Sequence, residues 1–174
     1  MLDRIEYEPV FFAPFVSSVM RVEPGWIDEN GHLNMAYYHV LFDRGIDEAF
    51  TLMGLGDPYR QAHQHATFSA EVHIRYLREL KVHDPVRVTF QLLSYDSKRL
   101  HFFQQLFHAT ESFVSATAEN LSLHVDLTAR KTAPFPLEIT HALGRMRASH
   151  EHLPSPDAVG RCVTMPASRV AEEA

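Results

Sequence analysis

The hydrophobic period changes along this chain from helical to alternating, and that change constrains the fold more than any other feature. After Asn34, the residues Tyr38, Leu41, Phe42, Ile46, Ala49 and Met53 recur at helical spacing, while His39, Asp43, Asp47 and Glu48 lie off the stripe. Asn34 suits an N-cap because its short side chain can accept from an amide of the first turn, and Gly54 and Gly56 supply the stop. The spacing predicts one long amphipathic helix. From Thr67 to Leu77 the period becomes two: Phe68, Ala70, Val72, Ile74 and Tyr76 alternate with Ser69, Glu71, His73 and Arg75. Asp84-Pro85 opens a second alternating run, with Val86, Val88, Phe90 and Leu92 inward against Arg87, Thr89 and Gln91.

Asp96-Ser97 reads as a hairpin turn, and Leu100 to His108 is apolar on nearly both faces, as expected of a covered central strand. In the next run Val114, Ala116 and Ala118 share one phase and Leu121, Leu123 and Val125 the other. The alternation therefore slips between Glu119 and Asn120, which predicts a β-bulge there. A first strand is expected over residues 16–22, ending at Pro24-Gly25. Pro134 and Pro136 end the sheet, and Leu137 to His150 reads as a short helix with Ile139, Leu143 and Met146 on one side. The order predicts an α+β fold in which an antiparallel sheet of five or more strands wraps one central helix. Residues 1–153 are expected to form one domain, followed by an irregular tail over 154–174.

At 174 residues and 45% hydrophobic, the chain can bury one core. Its 16 Lys and Arg against 22 Asp and Glu give a formal charge of −6, with Asp3, Glu6 and Glu8 at the start, which argues against nucleic acid as a partner. No apolar run approaches the roughly 20 residues of a membrane span, so no membrane association is expected. Cys162 is the one cysteine, which removes any internal disulfide and makes a cytoplasmic setting the default. The histidine pairs His63-x-His65 and His150-x-His152 lie in no zinc-binding pattern, so no metal site is expected. No GxSxG elbow, phosphate loop or dinucleotide fingerprint occurs.

What chemistry the chain carries is concentrated in Trp26-Ile27-Asp28-Glu29-Asn30-Gly31-His32-Leu33-Asn34. A carboxylate, a glycine turn and a helix start follow in order, and the unpaired amides of a helix N-terminus can hold an oxyanion. Asp28 would be the acid-base or nucleophilic partner; otherwise it is a turn residue before Gly31. His32 orients Asp28, contacts substrate or is structural, and Asn34 is a helix cap or a carbonyl contact. Trp26, Tyr37, Tyr38 and Phe42 cluster around the motif, where aromatic faces serve either a cationic ligand or the core.

Asp28-x-x-Gly31-His32-x-Asn34, with Tyr38 to Phe42 behind it and four strands after it, resembles the hotdog-fold acyl-CoA thioesterases of the 4-hydroxybenzoyl-CoA thioesterase type over roughly residues 16 to 135. Within that family, Glu71-x-His73-Ile74-Arg75, Lys98-Arg99-Leu100-His101 and Leu123-His124-Val125-Asp126 are most similar to betainyl-CoA thioesterases, which also occur fused to carnitine dehydrogenases. The resemblance implies hydrolysis of a small acyl-CoA thioester, with betainyl-CoA as a candidate and no cofactor. It matches Asp28 to the carboxylate that attacks the thioester or activates water, and the backbone amide of Met35 to the donor that polarises the thioester oxygen. It implies a homodimer or a dimer of dimers, with Glu71 and Glu119 able to complete a site from across the dimer. Glu71 is then either part of an ion-pair face or a contact to a cationic acyl group. Arg99, with Lys98 and Arg78, either pairs with the phosphates of coenzyme A or is an ordinary exposed base. Glu29-Asn30 is more polar than the pair many relatives carry, which leaves the acyl group open. The alternatives are a medium-chain fatty acyl-CoA thioesterase and a non-catalytic acyl-CoA-binding hotdog module.

Overall fold

The helical stripe becomes a rod, and the alternating runs become the sheet that wraps it. The computed structural model describes residues 13–165. Its elements are β1 (Phe15–Val16), β2 (Met20–Arg21), a 3-10 turn (Pro24–Trp26), α1 (Met35–Leu52), α2 (Asp57–His63), β3 (His65–Tyr76), β4 (Pro85–Tyr95), β5 (Arg99–His108), β6 (Val114–Asp126), β7 (Lys131–Thr132) and α3 (Leu137–Ser149). The sheet runs β1-β4-β5-β6-β3, with β2 also on β4 and β7 on β6, and its pairs are antiparallel. Asp3, Glu6 and Glu8, and the tail beyond 165, lie outside the described residues.

The stripe of α1 is buried at Tyr38, Leu41, Phe42, Ile46, Ala49 and Phe50. Gly45 sets how near the rod comes to the sheet: a Cβ there would stand 2.7 Å from Cγ1 of Val88, a fully buried residue of β4. Gly45→Ala is therefore expected to destabilise the fold by about 1–3 kcal/mol through overpacking, even though alanine favours a helix by about 1 kcal/mol. A denaturant midpoint at or above wild type would show that the helix can simply back away. At the far end of α1, Ile139, Leu143 and Met146 of α3 join Phe50, Phe90 and Leu92 in one apolar cluster. Trp26, Leu33 and Tyr38 belong to a second cluster at the near end.

Two expectations need correction. The strand foreseen over residues 16–22 is two short pieces: the Ser17 amide still donates to the Val88 carbonyl at 2.8 Å, but the return bond goes to the Ser17 hydroxyl and Ser18 turns to α1. Ser17 Oγ accepts the Val88 amide at 2.9 Å, and both the amide and the hydroxyl of Ser18 donate to Glu48 on α1 at 2.8 and 2.5 Å. The bulge foreseen between Glu119 and Asn120 is absent: Glu119 pairs with Phe103 and His73, and Asn120 with Phe102 and Val72, in unbroken register. The register of that strand pair shifts instead at Ala70 of β3, between Ser69 and Glu71. The apolar phase of β6 misleads because its core side turns polar while staying regular. Gln104 donates to the Phe42 carbonyl of α1 and Asn120 donates to Gln104, both at 3.1 Å, so buried amides replace apolar residues at no cost in unmet hydrogen bonds.

α2 and β7 had no counterpart in the sequence reading. After α3 the chain has no further helix or strand up to residue 165, and it crosses the outer face of the sheet. Gln91 donates to the Pro154 carbonyl, the Gly160 amide donates to Glu119, and Ala158 is buried between these points. No helix among the described residues is long and apolar enough to cross a membrane.

Candidate active site

The segment before α1 folds into a hairpin only a few residues deep. Ile27 and Leu33 form its bridge, the Asp28 amide donates to the His32 carbonyl at 3.0 Å, and the Gly31 amide donates back to the Asp28 carbonyl at 3.0 Å. Gly31 has φ +79°, a left-handed conformation that a side chain disfavours, so the glycine is what allows the turn to close. The base of the hairpin is tied twice. The Asn34 amide donates to the Trp26 carbonyl at 2.9 Å, and the Leu33 amide to the Leu80 carbonyl at 2.8 Å.

Asp28 is half-buried, and its Oδ1 accepts the Asn30 amide at 2.8 Å, so it does serve the turn. Oδ2 has no hydrogen-bond partner among the described residues. Asn34 caps α1 by accepting the Ala36 amide at 3.0 Å, and its carbonyl takes the Tyr37 amide. Between them, the Met35 amide has no acceptor among the described residues, while the Met35 side chain is 64% exposed. The His32 ring lies 3.6 Å from Glu79 rather than against the Asp28 carboxylate; it is the His32 backbone that meets Asp28. The sequence reading did not foresee Glu79, because it comes from a loop remote in the chain.

The aromatic candidates go to the core. Tyr38 is buried, its hydroxyl lies 3.5 Å from Ser115 Oγ, and burial pushes its phenol pKa up. Trp26 is buried beneath Tyr37, whose ring stacks on it at 5.3 Å and 12°, and the Arg44 guanidinium lies 5.0 Å from its ring centroid. The cation at that ring is thus the protein's own, a contact the sequence reading missed. Its signal was present: Tyr37 and Arg44 are seven residues apart, which puts them on one face of a helix.

Glu71 and Arg99 lie elsewhere, on the outer face of the sheet, opposite α1. They line a cavity of about 500 Å³ together with His73, Tyr95, His101 and Glu119. Arg99 is held by Asp96 through Nε at 2.6 Å and Nη2 at 2.5 Å, and this pairing keeps the Asp96 carboxyl below its usual range. Glu119 is bonded to His101 at 2.7 Å and to the Gly160 amide at 2.8 Å. The predicted site residues therefore divide into two groups: Trp26, Asp28, His32, Asn34, Met35 and Tyr38 around the hairpin, and Glu71 and Arg99 behind the sheet. Among the described residues no three His, Cys, Asp or Glu side chains are grouped to hold a metal ion.

Residues 22–143 match the profile of the thioesterase-like superfamily. The chain belongs to that superfamily. A betainyl-CoA thioesterase of Pseudomonas aeruginosa is 36% identical over 85% of this chain and 93% of its own length. An L-carnitine dehydrogenase/betainyl-CoA thioesterase of Rhizobium meliloti is 38% identical over 82% of this chain, which spans only 29% of that relative's length. Among solved structures, a Staphylococcus aureus protein in complex with CoA superposes with a TM-score of 0.83 at 24% identity, covering 92% of this chain and all 100% of that one. A putative thioesterase of Pseudomonas putida superposes with a TM-score of 0.76 at 32% identity, covering 88% of this chain and 98% of that one. The hotdog fold implied by the hairpin-and-helix resemblance is the fold of this superfamily member, whose described residues form an antiparallel sheet of seven strands around α1.

Proposed function

We propose that this chain hydrolyses a small acyl-CoA thioester to the free acid and coenzyme A, with betainyl-CoA as the first candidate substrate. Membership of the thioesterase-like superfamily and the names of the relatives support the reaction class. The observation that carries the reading is the hairpin. It presents a carboxylate oxygen of Asp28 and, at the start of the helix the turn is tied to, the Met35 amide, neither of which has a hydrogen-bond partner among the described residues. A thiolate leaves readily, so a carboxylate and an oxyanion donor suffice without a catalytic triad.

In one course Asp28 Oδ2 attacks the thioester carbonyl carbon, the carbon–sulfur bond breaks, and the coenzyme A thiolate takes a proton from solvent; water then cleaves the mixed anhydride. In the other, Asp28 takes a proton from a water that attacks the same carbon and passes it to the departing thiolate. In both, the Met35 N–H donates to the carbonyl oxygen as it gains charge. We place the enzyme in the cytoplasm as a homodimer. β3 is an edge strand of 12 residues with Phe68, Val72 and Tyr76 exposed, the kind of edge that a second copy covers.

A panel of acyl-CoAs assayed with a thiol-detecting reagent tests the proposal. Betainyl-CoA is expected to give the highest kcat/KM. A faster medium-chain acyl-CoA would transfer the assignment to the fatty alternative. No thiol from any member, together with ligand-dependent thermal stabilisation, would identify a binding module and end the hydrolase reading.

A further inference from the structure

We infer that Arg44 and Tyr37 are positioning residues that lock the Asp28 hairpin to α1 by clamping Trp26 between helix and loop. The inference rests on the proposed roles of Asp28 and the Met35 amide. Trp26 closes the 3-10 turn that leads into the hairpin, and its carbonyl anchors Asn34, the cap of α1. Its ring is stacked by Tyr37, from the first turn of the helix, and capped by Arg44, two turns further on. Arg44 also reaches Glu23, the residue just before the 3-10 turn, at 3.3 Å. Two helix side chains thus grip the loop at its start and at its last aromatic.

The chemistry of each residue suits the task. An exposed arginine–glutamate pair is weak by itself, and Arg44 and Glu23 are each about half exposed, so the ion pair alone would not fix the loop. A guanidinium plane against an indole adds contact that neither salt nor water readily replaces. The Tyr37 ring stacks near parallel to the indole, which sets the rotation of Trp26 about the helix axis as well as its depth. Among the described residues the hairpin's hydrogen bonds do not reach α1 beyond its first turn, the Leu33 amide going to Leu80 and the Asn34 amide to Trp26 itself, while Leu33 and Ile27 share an apolar cluster with Leu41 and Phe42. Loosening the clamp would let the carboxylate shift relative to the Met35 amide without emptying the core, since Trp26 stays in place.

Tyr37→Leu and Arg44→Gln, each with its conservative partner Tyr37→Phe and Arg44→Lys, test this on the full chain with the preferred acyl-CoA. Both disruptive variants are expected to lower kcat about 10- to 100-fold with KM nearly unchanged, as misplacement of a reacting group does. Tyr37→Phe keeps the stack and should restore wild-type kcat; Arg44→Lys, which lacks the plane, should restore it only in part. Without substrate, hydrogen exchange at the Gly31, Leu33 and Asn34 amides should quicken in Tyr37→Leu and Arg44→Gln and match wild type in Tyr37→Phe, with Tm lowered by no more than about 5 °C. A rise in KM at constant kcat, or a fall in kcat with exchange unaltered, would mean that these residues touch substrate instead, and the inference would be overturned. If the wild type cleaves no thioester, the hydrolase reading fails separately, and the exchange data alone decide whether the clamp orders the hairpin.

Discussion

Asp28→Ala is expected to lower kcat by about 100- to 10,000-fold while leaving the protein folded. The carboxylate sits on a solvent-facing turn, and the one hydrogen bond it makes among the described residues is the acceptance of the Asn30 amide. Its removal costs the core nothing. Asp28→Asn separates the two functions of the residue: the amide oxygen can still accept from Asn30, so the turn persists, but neither a nucleophile nor a base remains. Loss of activity in both variants assigns the chemistry to the carboxylate. Activity retained in Asp28→Asn and lost in Asp28→Ala would reduce Asp28 to a turn former and sink the proposed mechanism. Label found in the Asp28 side chain after repeated turnover in water labelled with heavy oxygen establishes the anhydride course, because label enters that side chain only when water opens an anhydride at the aspartyl carbon.

The second large effect concerns stability against acid. His124 of β6 is fully buried. Its Nδ1 lies 2.8 Å from the Ala133 carbonyl and must carry the proton, so its Nε2 accepts the Tyr59 hydroxyl of α2 at 2.8 Å. One imidazole thus joins α2, β6 and the segment after β7. Burial lowers the His124 pKa, and the neighbouring His65, with its ring centroid 4.9 Å away, adds to the lowering, while the bonds to Ala133 and Pro134 act the other way. Because the folded pKa lies below the unfolded one, the unfolded chain takes up a proton that the folded chain refuses. The neutral ring's contribution is complete above about pH 6.5, the unfolded value, and is lost as pH falls through the lowered folded pKa. His124→Leu should destabilise the protein at neutral pH, since unpaired Tyr59 and Ala133 groups cost about 1–3 kcal/mol each. It should also flatten, relative to wild type, the decline of stability that begins as pH falls below about 6.5. Urea denaturation at several pH values reads both effects, and an equally steep decline in the variant would rule out His124 as the acid-sensitive group.

Much of the fold was legible because its causes are local. The Asn34 cap, the stripe from Tyr38 to Met53 and the Asp96-Ser97 turn each depend on residues within a turn or two of one another. The structure has α1 ending at Leu52 and Asp96 accepting the Lys98 and Arg99 amides. α2 escaped notice because seven residues are too short to display a period, and its anchor, Tyr59, is held by His124, 65 residues away. The bulge was misplaced for a related reason. Alternation identifies a strand's core face only where that face is apolar, and β6 buries Asn120, Ser122 and His124 there.

The candidate site divides along the same line. From sequence alone came the order of carboxylate, glycine turn, cap and helix, which requires Asp28 and the Met35 amide to lie at one end of α1, because the chain between them is too short to place them far apart. Tertiary structure alone decided what surrounds that pair: Trp26 and Tyr38 go to the core, His32 turns to Glu79, Arg44 takes the indole face, and Glu71 and Arg99 line one cavity behind the sheet. Those assignments depend on which side of a strand or helix meets a distant partner. A one-residue change of register reverses a strand's faces, so no local pattern could have settled them.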